Sequence, residues 1–414
     1  MNIFLLIYIF SATWTNLLAI NYFNIPYFSC ILFVFSNLFI GKAVINKKCL
    51  KYLITPFLIS IFYYFLSAII NLNVNGKSFN YALVYSLFPL LMCYLPLSFE
   101  NKSQQAKKVV NYFLNGIIFI AFIIILEGII RNTFGIDIID FLPTSKEFKS
   151  FSATVDGLIT YRSRAFSSEP IIAGIGISTG LNYAILCLKN KIRLSAPEAK
   201  KGVIKYIILI PIFVIALIMT GSSAAFFCSL SFIIFIIIFM IINWVSNIFK
   251  GKLDLNGFIL FSICIIPFFL ISYLLINSIP VFSAIFENIL GKLLLDDNYN
   301  SVEARLLSFR NFYNSFLADP IGFKGYMGSL SSQSEGTAIN WYLTILGDSG
   351  LIGAFFTLVP LSIAINISIN NKGISSFKKL DKLFVLFAPI VGLAFHGTFY
   401  ASLVWPLIIV VNCL

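Results

Sequence analysis

Apolar residues run along this chain in long blocks. Short polar stretches separate most of them, and two long ones interrupt the series. A membrane-spanning helix needs about 20 mainly apolar residues. On that measure the pattern predicts twelve spans, at 3–20, 27–41, 52–70, 80–97, 111–130, 170–188, 203–219, 223–246, 257–277, 350–369, 383–396 and 398–414. The first block has no basic leader and no small-residue cleavage site, so it is expected to be a retained span rather than a signal peptide. The expected fold is therefore an all-α polytopic membrane protein forming a single integral membrane domain over 1–414. Its two long connections, 131–169 and 278–349, carry amphipathic helices.

Composition agrees with the pattern. Of the 414 residues, 59% are hydrophobic and only 11% charged, with a mean hydropathy of +0.93. Soluble chains carry about 25% charged residues, so a water-facing surface cannot be built from this composition. The net charge of +12 would suit nucleic acid, but its distribution argues otherwise. Alternate short connections hold nineteen lysines and arginines, among them Lys48, Lys107, Lys201 and Lys379. The short connections between them hold only Lys77. Positive residues stay on the cytoplasmic side, so both termini are expected in the cytoplasm and both long loops outside. Nucleic acid is not needed as a partner. The six-and-six split of spans does not give matching halves, which counts mildly against an inverted-repeat transporter.

Little conventional catalytic chemistry is present. There is one histidine, His396, beside Gly397, so a multi-histidine metal site is excluded; a lone histidine is more often structural than catalytic. The seven cysteines have no C-x-x-C spacing and read as small buried apolar residues. No metal and no cofactor are expected.

The two long loops hold the remaining nine basic residues and most of the acidic ones. The first ends Arg162-Ser163-Arg164-Ala165-Phe166-Ser167-Ser168-Glu169-Pro170 and enters a glycine-rich span with Gly174, Gly176 and Gly180. Pro170 suits the first position of a helix, which puts Glu169 at the positive end of the helix dipole. Arg162 and Arg164 read either as an anion clamp with a carboxylate nearby or as ordinary surface residues, with Glu169 as a helix cap. In the second loop, 281–295 has the spacing of an amphipathic helix lying in the membrane interface. A helix over 301–317 follows, carrying Glu303, Arg305 and Arg310 among aromatics. It stops at Asp319-Pro320, before Ile321-Gly322-Phe323-Lys324-Gly325. Guanidinium groups bind phosphate oxygens in a bidentate manner, so arginines among aromatics at a membrane surface suit a diphosphate next to sugars. Snorkelling arginines are the plainer alternative. Within the spans, Glu127 and Arg131 stand one helical turn apart. They read as an intramembrane functional charge or as a simple ion pair at the interface. Thr220-Gly221-Ser222-Ser223 reads as a tight outer turn lining a cavity.

Taken in order, these motifs resemble a family. Five spans lead to R-x-R-A-F-x-x-E-P. Further spans, the T-G-S-S turn and a large outer loop follow, the loop with D-P-x-G-x-x-G and N-x-Y-L-x-x-L-G-D-x-G-L-I-G over 340–353. This order is similar to bacterial O-antigen polymerases of the Wzy type and the related O-antigen ligases. The resemblance implies a glycosyltransferase of the bacterial inner membrane whose active site faces the periplasm. Its donor and acceptor would be undecaprenyl-diphosphate-linked oligosaccharides held in membrane lipid, with no metal. A chain-length regulator and a flippase would be its partners. The resemblance also implies functional arginines in the outer loops, where Arg162 or Arg164 before Glu169-Pro170 and Arg305 or Arg310 before Pro320 match. Arg164 and Arg310 are expected to be the catalytic ones, and Glu169 is the expected acceptor of the hydroxyl proton, with Glu303 and Asp348 as rivals. Arg162, Arg305, Glu303, Lys324, Asn340, Asp348 and His396 would bind substrate. The ligases usually carry histidine where Ile339 stands, and often arginine after the T-G-S-S turn, where this chain has Ala224 and Ala225. Polymerase is thus the expected activity, with ligase and flippase as alternatives.

Overall fold

The computed structural model of the chain describes residues 3–15, 24–39, 45–71, 83–99, 103–136, 152–155, 158–167, 169–192, 197–249, 273, 278, 280–293, 300–323, 340–371, 377–395 and 403–414. The predicted span 257–277, Lys324 and His396 lie outside these residues, Tyr273 excepted, and so do 137–151, 156–157 and 168 of the first long loop.

The described residues are almost wholly helical. In chain order the helices are α1 (Ile3–Phe10), α2 (Ile25–Phe39), α3 (Lys47–Ile70), α4 (Leu95–Ser98), α5 (Ser103–Phe134), α6 (Pro170–Ile192), α7 (Pro197–Thr220), α8 (Ser223–Phe249), α9 (Pro280–Leu293), α10 (Asn300–Ala318), α11 (Trp341–Asn370), α12 (Lys379–Gly392) and α13 (Trp405–Cys413). Two π-helical turns, Leu83–Leu87 and Leu90–Tyr94, precede α4, where Pro89 and Pro96 interrupt regular hydrogen bonding. Among the described residues six helices are long and apolar enough to cross a membrane: α3, α5, α6, α7, α8 and α11. That is fewer than the twelve expected spans. Within the first predicted span, 3–20, the described residues 3–15 are helical to Phe10 and then turn through Ser11–Thr13, and 16–20 lie outside the described residues. Of the predicted spans 383–396 and 398–414, the helical parts are α12 and α13, which are too short to be counted with the six.

One two-stranded antiparallel hairpin is added, β1 (Ser152–Val155) with β2 (Leu158–Tyr161), in the register Ser152↔Tyr161 to Val155↔Leu158. The sequence joins the strands through Asp156-Gly157, a dipeptide favoured in two-residue hairpins. In this loop the described element is therefore a hairpin, whereas the expected amphipathic helix of the second loop is present as α9.

Helix α6 is the hub. Some 94% of its apolar stretch is buried, against 33% for α3. It packs on α5, α7, α8 and α12. Its glycines permit this close approach: a side chain at Gly174 would strike Ala225, one at Gly176 would strike Thr13, and one at Gly180 would strike Ile117. The outer helices instead expose Phe62 and Ile69 on α3, Phe122 and Ile129 on α5, and Phe235 and Ile242 on α8. So large an exposed apolar surface needs a non-aqueous solvent. Fold and surface together define an α-helical membrane protein.

The two ends of the bundle differ. At one end Lys189 of α6 pairs with Asp381 of α12 at 2.6 Å, and Asn190 also donates to Asp381. Nearby, Lys382 donates to the Asn371 carbonyl oxygen and Asn371 donates to Asn412. Lys189 and Lys382 belong to the basic stretches that the sequence assigns to loops, yet both are buried between helices. The opposite end, where α5 and α7 finish and α6 and α8 begin, holds the arginine loop.

Candidate functional site

Residues 162–167 follow β2 as a loop wedged among helix ends. Pro170 opens α6 as expected, and Glu169 is its N-cap residue: the Glu169 carbonyl oxygen accepts from Ile172 and Ala173. The Glu169 side chain is partly exposed. Arg164 is 3% exposed, so the arginine that reads as a surface residue is an interior one. Arg162 is partly buried; its Nε donates to the Thr220 carbonyl oxygen at 3.3 Å, and its aliphatic stem lies on Gly221. Gly221 has φ +55, so this turn needs glycine twice over, for its backbone and for the arginine it carries.

Helix α5 holds the loop from the other side. Glu127 is fully buried. Its Oε2 accepts from the backbone N–H groups of Arg164 and Ala165, at 3.0 and 2.7 Å. Its Oε1 lies 3.8 Å from Arg131. The Arg131 guanidinium sits 4.9 Å over the Tyr161 ring, a cation–π distance. Asn132 receives the Tyr161 N–H and donates to the Tyr161 carbonyl oxygen, at 2.9 and 3.2 Å. The loop also touches α7 and the turn that follows α1. Ser163 N–H donates to the Met219 carbonyl oxygen, and Ser167 Oγ donates to the Thr13 carbonyl oxygen. Phe166 packs against Trp14 and Phe119. Ala165 has φ 49, a left-handed conformation unusual for a residue other than glycine. The hydrogen bond from its N–H to Glu127 holds it there.

The sequence reading treats the Glu127–Arg131 pair, the R-x-R loop and the T-G-S-S turn as separate features. The structure joins them into one cluster and adds Asn132, which that reading missed. The available signal is three polar residues, Glu127, Arg131 and Asn132, directly after the unbroken apolar run 117–126.

The second long loop places its residues elsewhere. Arg310 is exposed on α10, which packs on α11 through Phe312 and Ser315 beside Gly347. Glu303 and Arg305 lie on the same helix, in the turns before Arg310. Two sequence motifs meet here. After α10, Asp319 accepts through its carboxylate from Gly322 and Phe323 N–H, at 3.0 and 3.1 Å. The tightened turn then crosses α11 at Gly350, whose φ of 61° and ψ of −165° break that helix. The Leu351 and Ile352 N–H groups lose helical partners at the break and donate to the Pro320 and Ile321 carbonyl oxygens, both at 3.0 Å. Gly322 and Gly350 lie so close that neither has room for a side chain. Asp348 is buried beside the break, and Tyr63 of α3 donates to the Ser349 carbonyl oxygen at 3.0 Å. Asn340, expected to bind substrate, caps α11: its side-chain oxygen accepts from Tyr342 and Leu343 N–H.

Among the described residues no group of three or more histidine, cysteine, aspartate or glutamate side chains could hold a metal ion. In comparisons with known proteins, no family model matches the chain, and no curated protein matches it.

Proposed function

We propose that this membrane protein is a glycosyltransferase that polymerises lipid-linked oligosaccharide repeat units at the periplasmic face of the bacterial inner membrane. One observation carries the reading: Arg131, Arg162 and Arg164 share one end of the bundle with the buried Glu127, which lies against the Arg131 guanidinium and accepts the Arg164 backbone N–H. Glu127 lies against Arg131, and Arg162 and Arg164 stand in the short segment that leads to the partly exposed Glu169. A surplus of guanidinium charge in a low-dielectric setting suits a diphosphate.

In the proposed reaction a hydroxyl of the acceptor repeat unit attacks the anomeric carbon of the donor glycan. The bond from that carbon to the diphosphate oxygen breaks, and polyprenyl diphosphate leaves with the electron pair. Arg164, already fixed in place, stabilises the charge that grows on the leaving group. Glu169 accepts the hydroxyl proton. The exposed Arg310 on α10 meets the second lipid-linked substrate.

Deletion of the gene tests the reading. Loss of a polymerase leaves lipopolysaccharide core bearing one repeat unit, whereas loss of a ligase or flippase leaves bare core. Orientation is tested separately with Ser150→Cys and Leu330→Cys. An impermeant thiol reagent should label both in spheroplasts, and protection of both would remove the periplasmic site.

A further inference from the structure

The arginine loop is held by its backbone, and most of the holding comes from one helix. Glu127, Arg131 and Asn132 share the last turns of α5. Asn132 takes both backbone groups of Tyr161, Arg131 covers the Tyr161 ring, and Glu127 takes the next two free N–H groups, of Arg164 and Ala165. Between them, Ser163 N–H goes to Met219. A left-handed alanine in the middle of a loop persists only where its surroundings over-determine it. Buried N–H groups must also find acceptors, and Glu127 supplies one oxygen to two of them.

We infer that Glu127 and Asn132 act as a clasp: they are positioning residues that fix loop 161–165 and thereby hold Arg162 and Arg164 in their places. Glu127 reaches the arginine through its backbone and has its Oε2 fully engaged, so its role is to place the guanidinium groups rather than to take a proton. The inference builds on the proposed glycosyl transfer for its purpose, but the clasp itself is read from loop order.

The test uses the full chain in membranes, with Ser163→Cys as the reporter. Ser163 is 1% exposed, and the described native cysteines are all buried. Labelling of Ser163→Cys by an impermeant maleimide should be slow. Adding Glu127→Ala or Asn132→Ala should speed it about ten- to a hundredfold, the factor that losing one or two hydrogen bonds of this kind is worth. Glu127→Gln should stay close to the parent rate, because one amide oxygen can accept both N–H groups. It should also retain most of the transfer activity that Glu127→Ala loses. If Glu127→Ala does not accumulate, Asn132→Ala carries the same test. Unchanged labelling in the alanine variants would overturn the clasp, and so would Glu127→Gln labelling as fast as Glu127→Ala. If the labelling follows expectation but the parent chain transfers no glycan, the clasp stands and the glycosyltransferase reading falls.

Discussion

Two arginine-bearing regions that look alike in sequence are built in opposite ways. In loop 162–167 the arginines come without regular structure of their own, yet Arg164 is interior and the backbone on either side of it is tied to two helices, α5 and α7. In α10 the helix itself is regular, yet Arg310 is exposed and the helix rests on α11 through Phe312, Ser315 and the 319–323 turn. A charge fixed in advance inside a low-dielectric site stabilises a developing charge without reorganising. A solvent-exposed arginine attracts and releases a ligand, but contributes less per contact. The first region therefore fits chemistry and the second fits capture.

That contrast can be broken by experiment, starting with the largest effect. Glu169→Gln should lower turnover by about 10²–10⁴-fold with substrate affinity preserved, as loss of a general base does. Purified variant assayed with synthetic lipid-linked repeat units measures it. A near-normal rate would reduce Glu169 to a cap of α6 and move the base to Asp348 or Glu303. Arg164→Ala should cost about 10²–10³-fold in turnover, the range for a lost charge-stabilising donor. Arg164→Lys should recover little, since lysine lacks the planar fork. If Arg164→Lys behaves as the parent chain, the site needs only charge and the interior setting has no catalytic meaning.

Gly350→Ala acts on the second region alone. It should destabilise the seat of α10 by about 1–3 kcal/mol, the cost of forcing a backbone conformation reserved for glycine. Limited proteolysis between α10 and α11 should then speed up while the 161–169 loop keeps its protection. Equal loosening of both regions would show that they are one unit. The smallest effect is expected at Arg310. Arg310→Lys should change the apparent affinity for lipid-linked substrate by less than about threefold, because an exposed cation works as a point charge. The effect of Arg310→Ala should shrink further as salt rises toward 1 M. A loss at Arg310 as large as that at Arg164, insensitive to salt, would place both arginines in the reacting site.

The apolar blocks sufficed to predict a helical membrane protein, because backbone groups in a bilayer must be satisfied within helices or closed barrels, and no barrel alternation is present. Pro170 at the start of α6, the amphipathic α9 and the end of α10 before Asp319-Pro320 were likewise legible, because capping and amphipathicity are local properties. Helix α1 was not, because what ends it near Phe10 is a turn packed against loop residues more than 150 positions away, where Ser167 meets Thr13. The hairpin is legible in Asp156-Gly157, a local turn signal that the charges of the loop do not carry. Tertiary structure alone decided which arginine is interior. Glu127 and Arg164 stand 37 residues apart, and Gly322 lies in the turn after α10 while Gly350 lies at the break in α11. Their partnerships depend on how the helices stack, and a one-dimensional pattern of apolar blocks carries no information about which helix ends come to share a corner.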